Sequence, residues 1–384
     1  MSRKPKYVTR LEAVTGLSDR EVEELKPVAD KFVFRSNDYY NGLIDWDDPE
    51  DPLRRLVIPD KSELSEWGEL DASHEDLYSR VPGLQHKYSD TALLLVNDVC
   101  GAYCRYCFRK RLFMNDNDET VRDVSAGLEY IRNHPEIDNV LLTGGDPLIM
   151  STSKLEPIIA QLREIPHVRI IRIGSKMPAF NPFRITQDES LHAMLRRYST
   201  SEAGRIYVMA HFNHPKELTD EACLALDILN RNGARTINQT PLIRGINDDP
   251  KVMSELFRKL SFIGTPPYYV FHCRPTEGNE SFSMPVERGY EIFLEAQRET
   301  SGLASRARYS MSHVTGKLEV AAMTDDHIVF RYHRSANPEL RGRSILCRRN
   351  PEAQWFDDYP ESVEYLSGIE DPEPAFVPVE ALTR

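Results

Sequence analysis

Thr91 to Arg111 reads TALLLVNDVCGAYCRYCFRKR. A short apolar run comes first, three of the chain's six cysteines follow within eight residues, and a basic stretch closes the segment. The run TALLLVN (91–97) is too short for a helix and is rich in Leu and Val, as a strand buried on both faces would be. Cysteines just beyond such a strand sit where a parallel α/β fold gathers its chemistry.

Working outward, the same kind of run recurs as NVLLTG (139–144), VRIIRIG (168–174), RIYVMAH (205–211), RTINQT (235–240) and YYVFHC (268–273). Helical patterns lie between the runs. SKLEPIIAQLREI carries Leu155, Ile158, Ile159 and Leu162 at helix spacing, and ELTDEACLALDILNRNG starts near a Thr cap and stops at Gly233. Strict alternation of strand and helix predicts βαβ units with right-handed crossovers. The expected fold is α/β, a partial (β/α)6 barrel over 91–305. A mainly helical extension over 1–90, around the loop NDYYNGLIDWDDPEDPLRR, precedes it, and a small C-terminal β extension over 306–384 follows. In that last part GKLEVAAMTDDHIVFRYHR reads as two strands about an Asp-Asp turn, and the Pro- and Glu-rich tail from about 366 reads as mobile.

Composition narrows the function. The chain has 384 residues, 40% hydrophobic and 28% charged, with a formal net charge of −12. That balance argues against nucleic-acid and anionic-membrane partners, which need a concentrated basic surface. There is no apolar run of membrane-spanning length and no signal-like h-region behind the N-terminal charges. Clustered Cys100, Cys104 and Cys107 with isolated Cys223, Cys273 and Cys347 do not form a disulfide framework, so a reduced, cytoplasmic setting is expected.

Each strand run ends on glycine, cysteine or polar groups. After the first comes the cysteine loop, after the second GGDPL (144–148), and after the third Ser175 in GSKMPAFNP. His211 in HFNHP marks the fourth, Gln239 the fifth, and His272, Cys273 and Arg274 the sixth. Polar groups recurring at one end of successive strands are what a barrel-mouth active site requires. Taken singly, Gly144 and Gly145 also fit a plain tight turn and His211 a hydrogen-bonded core residue.

The C-x3-C-x2-C spacing is sharper. Thiolates at 100, 104 and 107 can converge on three irons of a cubane cluster and leave the fourth without a protein ligand. Structural zinc takes four closed ligands, and no Cys or His pair follows at finger-like spacing. Tyr106 offers a flat face beside an open iron.

The co-occurrence, in order, of CGAYCRYCFRKR, LLTGGDPL, IIRIGSKMPAFNP, HFNHP and LIRGIND resembles the lysine 2,3-aminomutase branch of the radical S-adenosylmethionine enzymes, over roughly residues 85 to 320. The resemblance implies a [4Fe-4S] cluster on Cys100, Cys104 and Cys107. It implies S-adenosylmethionine on the open iron, with Gly144, Gly145 and Asp146 along its methionine amino group and Tyr106, Ser175, His211 and Gln239 elsewhere around it. It also implies pyridoxal 5'-phosphate in an imine with Lys317, although the family's longer glycine run is here the single Gly316. Lys87 and Tyr88 stand where the family has an Arg-Tyr pair for the phosphate, and a second family arginine corresponds to Thr91. Arg109 matches the arginine that grips the substrate carboxylate, a task suited to a guanidinium fork; Lys110 and Arg111 either are solvated or pair with nearby acids.

Two departures bear on the substrate. Family members acting on free lysine hold its far ammonium with two aspartates, and those positions here are Arg274 and about Ser310. A cation there repels an ammonium and suits an anionic or acceptor-tipped end such as that of glutamate, unless Arg274 only pairs with Glu277 or Glu280. The family's clustered C-terminal cysteines are also missing, with Cys347 alone in that region, so no zinc site is expected there. The resemblance thus implies a 2,3-aminomutase that moves the α-amino group of a free amino acid, such as glutamate or another acceptor-tipped one, to the β-carbon, fed by an electron donor such as flavodoxin or ferredoxin, in a homo-oligomer. The alternatives are a mutase acting on a lysine of a translation elongation factor and a non-catalytic metal-binding module.

Overall fold

The computed structural model describes residues 3–114, 119–359 and 364–365; the tail from about 366 lies outside them. All six predicted runs are strands: β1 (Thr91–Asn97), β2 (Asn139–Gly144), β3 (Ile170–Ser175), β4 (Arg205–Ala210), β5 (Arg235–Leu242) and β6 (Pro267–His272). They pair in chain order and in parallel. The intervening helices, among them Thr152–Arg163 and Asp220–Arg231, cover the outer face. The second of these begins at Thr219, whose hydroxyl accepts the Ala222 N–H at 3.1 Å, as its sequence predicts.

The pleat sorts the side chains. Val140, Leu142, Ile171, Ile173, Ile206 and Val208 point outward into the helices and are fully buried in one core, while the alternate positions Leu141, Arg172, Tyr207 and Gln239 line the inside and stay partly accessible. An inner face with arginine, tyrosine and glutamine is polar and partly accessible, unlike the apolar layers of a packed barrel interior.

The structure adds a seventh parallel strand, β7 (Arg308–His313), beside β6. The sequence reading passed over it because RYSMSH is polar at every second position; only Tyr309 and Met311 face the core. An antiparallel meander continues from it: β8 (Gly316–Met323), β9 (His327–Ser335) and β10 (Ser344–Arg348). The first turn of that meander, between β8 and β9, is the predicted Asp-Asp turn.

Residues 1–90 are less uniformly helical than predicted. Helices such as Asp19–Lys31 and Pro52–Val57 are present, but Ser79–Val81 and Leu84–Tyr88 form two antiparallel strands on the free edge of β1. Leu84 and Gln85 are buried there, so pairing and burial override a weak local pattern. This edge strand then meets the other end of the parallel set. Lys87 Nζ donates to the His313 carbonyl at 2.6 Å and the Tyr78 hydroxyl to the Val314 carbonyl at 2.8 Å. Side chains thus bridge the gap that the backbone ladder leaves open. Among the described residues no helix is long and apolar enough to cross a membrane.

Candidate active site

The cysteine loop leaves β1 and is pinned by the N-terminal extension. Arg105, between two of the cysteines, is 2% exposed and forms a fork to Glu63, with Nε–Oε1 at 2.9 Å and Nη2–Oε2 at 2.8 Å. Its backbone N–H donates to the Leu56 carbonyl at 2.9 Å, and the Tyr103 N–H to the Arg35 carbonyl at 2.9 Å. Ala102 and Tyr106 join Phe34, Tyr40 and Leu56 in one apolar cluster. The extension therefore forms a wall of the barrel mouth.

The three thiols influence one another. Burial pushes the Cys100 thiol far up, with Asp146, Cys107 and Cys104 adding to it, and burial pushes Cys104 up to about 12. A positive centre between them would offset that repulsion. Three thiols carried by one loop, each pushed up by burial, are a donor set that suits a cubane, which offers each thiolate its own iron.

At the end of β2, Gly144 has φ +107°, and a Cβ on Gly145 would lie 2.5 Å from the Val99 carbonyl oxygen. The turn is pressed against the exit of β1, which a side chain would prevent. Asp146 closes it. One carboxylate oxygen accepts the Leu148 N–H at 2.9 Å; the other accepts the Ser175 hydroxyl at 3.0 Å and the backbone N–H groups of Lys176 and Met177 at 2.7 and 3.1 Å. Burial lifts this carboxyl to about 6 while those bonds oppose the rise. Asp146 and Ser175 are brought together, and they tie the β2 and β3 loops to each other.

Tyr106 and His211 also meet. The Tyr106 hydroxyl donates to Asn213 Oδ1 at 2.7 Å and lies 3.1 Å from His211 Nε2. Burial, with the Lys176 charge behind it, keeps the His211 imidazole neutral. Lys176 donates to Asn213 Oδ1 at 2.6 Å and pairs with Glu217 at 2.7 Å. Lys176, Asn213 and Glu217 were not singled out in the sequence, although the first two lie inside GSKMPAFNP and HFNHP. Gln239 sits apart from this network, on the inner face of β5 opposite Tyr269. His272 is structural, held between the Tyr309 hydroxyl at 2.6 Å and the Gln354 carbonyl at 2.8 Å.

Around the lumen the charges are mostly positive. Lys317, on β8, has its amine 4.5 Å from the Tyr269 ring centre and 4.4 Å from that of Phe271. Burial depresses its pKa strongly, and Arg172, Arg274, Lys87 and Arg334 push it further the same way. Burial, reinforced by Arg274, brings Lys87 down to about 7. Arg274 stacks over Phe108 at 3.8 Å and donates to the Ser73 hydroxyl; Glu277 pairs with Lys31, and Glu280 accepts from Ser65. The sequence alternative in which Arg274 merely pairs with one of those glutamates is therefore not what the fold builds. Arg109 pairs with Glu75, and Arg111 pairs with Asp71, Glu75 and Glu119. Lys110 is buried and its ammonium has no hydrogen-bond acceptor among the described residues, so it is not a solvated charge. Ser310 is fully buried and its hydroxyl likewise lacks a partner.

Comparison with known proteins agrees with this construction. The Radical SAM superfamily (SAM, S-adenosylmethionine) matches residues 94–256. An Aquifex aeolicus (strain VF5) protein provisionally named L-lysine 2,3-aminomutase is 58% identical over 370 residues, 96% of this chain and 99% of its own. The L-lysine 2,3-aminomutase of Clostridium subterminale is 41% identical over 298 residues, 77% of this chain and 70% of its own. The chain belongs to the lysine 2,3-aminomutase family. It is a radical S-adenosylmethionine isomerase of the aminomutase type, and the family implies a [4Fe-4S] cluster with S-adenosylmethionine, a group that the three thiols of the β1 loop fit. The family also contains the glutamate 2,3-aminomutase of Clostridioides difficile (strain 630), 36% identical over 299 residues, 77% of this chain and 69% of its own.

Proposed function

We propose that this aminomutase uses pyridoxal phosphate on Lys317 and acts on an amino acid whose side chain ends in an anion or hydrogen-bond acceptor, glutamate being the natural fit. The observation that carries the reading is the set of cations Lys87, Arg172, Arg274 and Arg334 gathered around an amine that has ring faces, but no hydrogen-bond or ion-pair partner, among the described residues. Like charges at this density are costly unless an anion joins them.

The residues present suit the cofactor. A lysine amine kept neutral by its surroundings is a nucleophile ready for a carbonyl, and Tyr269 and Phe271 give it an aromatic bed. When bound, the cluster with S-adenosylmethionine supplies the radical initiator and pyridoxal phosphate the carbonyl that carries the migrating nitrogen. Reduction of the cluster calls for a one-electron donor such as flavodoxin or ferredoxin.

The charges can then be assigned. Phosphate takes cations on the side of Lys87, and Arg109 takes the α-carboxylate as a fork. Arg274 is left over, buried, and separated from Glu277 and Glu280 by their own partners. With Ser310 it would face the far end of the substrate, where an ammonium would be repelled. A lysine carried on a protein would bring the same ammonium there. The presence of a glutamate enzyme among the relatives is compatible with this choice.

The test is anaerobic incubation of the reduced, reconstituted protein with glutamate, lysine and neutral amino acids, following β-amino acid formation. Glutamate or another acceptor-tipped amino acid should be turned over. Efficient turnover of free lysine with none of glutamate would refute the substrate assignment.

A further inference from the structure

Position 91 begins β1 and carries threonine, leaving Lys87 and Tyr88 as the cofactor-phosphate partners that the sequence offers. The fold brings another cation to the same place from about 240 residues away in sequence. Arg334, on β9, has Nη2 3.5 Å from Thr91 Oγ1 and its guanidinium carbon 5.0 Å from the centre of the Tyr88 ring. Its other neighbour there is Asp90, which accepts from Nη2.

Arg334 is also the cross-strand partner of Lys317, so the two side chains start side by side on the same face. Gly316 makes that approach possible: a Cβ there would lie 2.3 Å from the Arg334 carbonyl oxygen. The Arg334 side chain is 22% exposed, within reach of a ligand. Asp90 and Thr91 both engage Nη2, which fixes the guanidinium, while no described residue accepts a side-chain hydrogen bond from Nε or Nη1.

We infer that Arg334, together with Lys87 and Tyr88, holds the phosphate of pyridoxal phosphate, supplying from β9 the guanidinium that position 91 lacks. The inference rests on the proposed use of pyridoxal phosphate at Lys317. It adds the residue that anchors the other end of the cofactor, and it gives the two basic side chains that stand side by side on β8 and β9 separate tasks, Arg334 at the phosphate and Lys317 at the carbonyl. An Arg is suited to the task because its planar fork matches phosphate geometry.

The test is equilibrium titration of the apoprotein with pyridoxal phosphate and, separately, with pyridoxal, which lacks the phosphate, followed by visible absorption. Arg334→Ala should weaken pyridoxal phosphate at least tenfold and leave pyridoxal unchanged. Adding Thr91→Arg to Arg334→Ala should recover most of the loss. Arg334→Gln, which keeps a donor to Asp90, repeats the comparison in case the alanine variant does not fold. Unchanged pyridoxal phosphate affinity in these variants overturns the inference, and so does an equal loss for both ligands, which would mean a damaged pocket. A parent protein that binds neither ligand overturns the use of pyridoxal phosphate itself, a separate outcome.

Discussion

Arg109 and Glu75 grip each other at the barrel mouth, with Arg109 Nη2 2.6 Å and Nε 3.0 Å from Glu75 Oε1. Arg109 Nη1 donates to Thr143 at 3.0 Å and Arg111 Nη2 to Glu75 at 2.7 Å. One carboxylate from the N-terminal extension therefore orients two arginines of the cysteine loop. In the reading proposed above, the remaining edge of Arg109 takes the substrate carboxylate.

Glu75→Gln should cost about 3 to 5 kcal/mol of stability at neutral pH, since both guanidiniums lose their shared counter-charge inside the protein. Burial raises the Glu75 carboxyl, but Arg109 and Arg111 outweigh it and hold the group far below the usual range. Its folded pKa is thus depressed, so the stabilisation is complete above the unfolded value of about 4.5 and fades as pH falls below it. Denaturant unfolding of parent and variant at pH 7 and pH 4 should show the gap narrowing at the lower pH. A gap that is absent at pH 7, or that widens on acidification, removes Glu75 from this role.

Cys104→Ala should lower the iron retained after anaerobic reconstitution and abolish cleavage of S-adenosylmethionine, because one of three cluster ligands is gone. The core under the C-terminal meander, which includes Tyr309, Leu318 and Phe330, is a separate cluster from the one the loop joins and should keep its cooperative unfolding. Formation of 5′-deoxyadenosine at the parent rate would rule out Cys104 as a ligand.

Lys317→Met should bind no pyridoxal phosphate covalently and yet be more stable than the parent apoprotein, by about 1 kcal/mol or more. The reason is the sign of its surroundings: burial and four cations disfavour the ammonium, and methionine has a similar stem without the charge. Borohydride should fix a pyridoxyl group on Lys317 in the parent and nowhere in the variant. Trapping at another lysine would reassign the site, and a lower melting temperature for the variant would mean that the amine is not under this electrostatic load.

Much of this site was legible where chemistry is local in sequence. Cys100, Cys104 and Cys107 announce themselves by spacing, Gly144 to Asp146 by a turn that excludes side chains, and β1 to β6 by apolar runs. Glu75, Arg172 and Arg334 were not legible, since each matters only through a partner that the fold supplies. Glu75 reads as one acid in a charged extension until the cysteine loop folds against it. Arg172 interrupts an apolar run, and only the pleat shows that it points into the lumen. Arg334 lies in a polar stretch of β9, and strand register alone sets it beside Lys317. The strand β7 was missed for a related reason: its inner positions serve the lumen, so the apolar run that marks a buried strand is broken.

Arg274 is where the choice of substrate should be decided. Its guanidinium is buried over Phe108, and its charge is felt by Lys87 and Lys317. Burial, with Arg109 nearby, lowers its pKa to about 10 against the opposing pull of Glu75. At neutral pH it is therefore still a buried cation. If it meets the far end of the substrate, losing that charge-assisted contact should cost about 2 to 5 kcal/mol in kcat/KM for an anionic or acceptor-tipped amino acid. Arg274→Asp reverses the sign, so it should depress such substrates and improve lysine, whose ammonium would then find a carboxylate. Arg274→Lys separates charge from geometry: it should retain part of the glutamate activity, because a point charge remains while the fork over Phe108 is lost. The measurement is kcat/KM for glutamate, lysine and a neutral amino acid in all three proteins. A preference order that is the same in parent and Arg274→Asp would mean that Arg274 stabilises the wall formed by Ser73 and Phe108, and that selection of the substrate lies with other residues of the lumen.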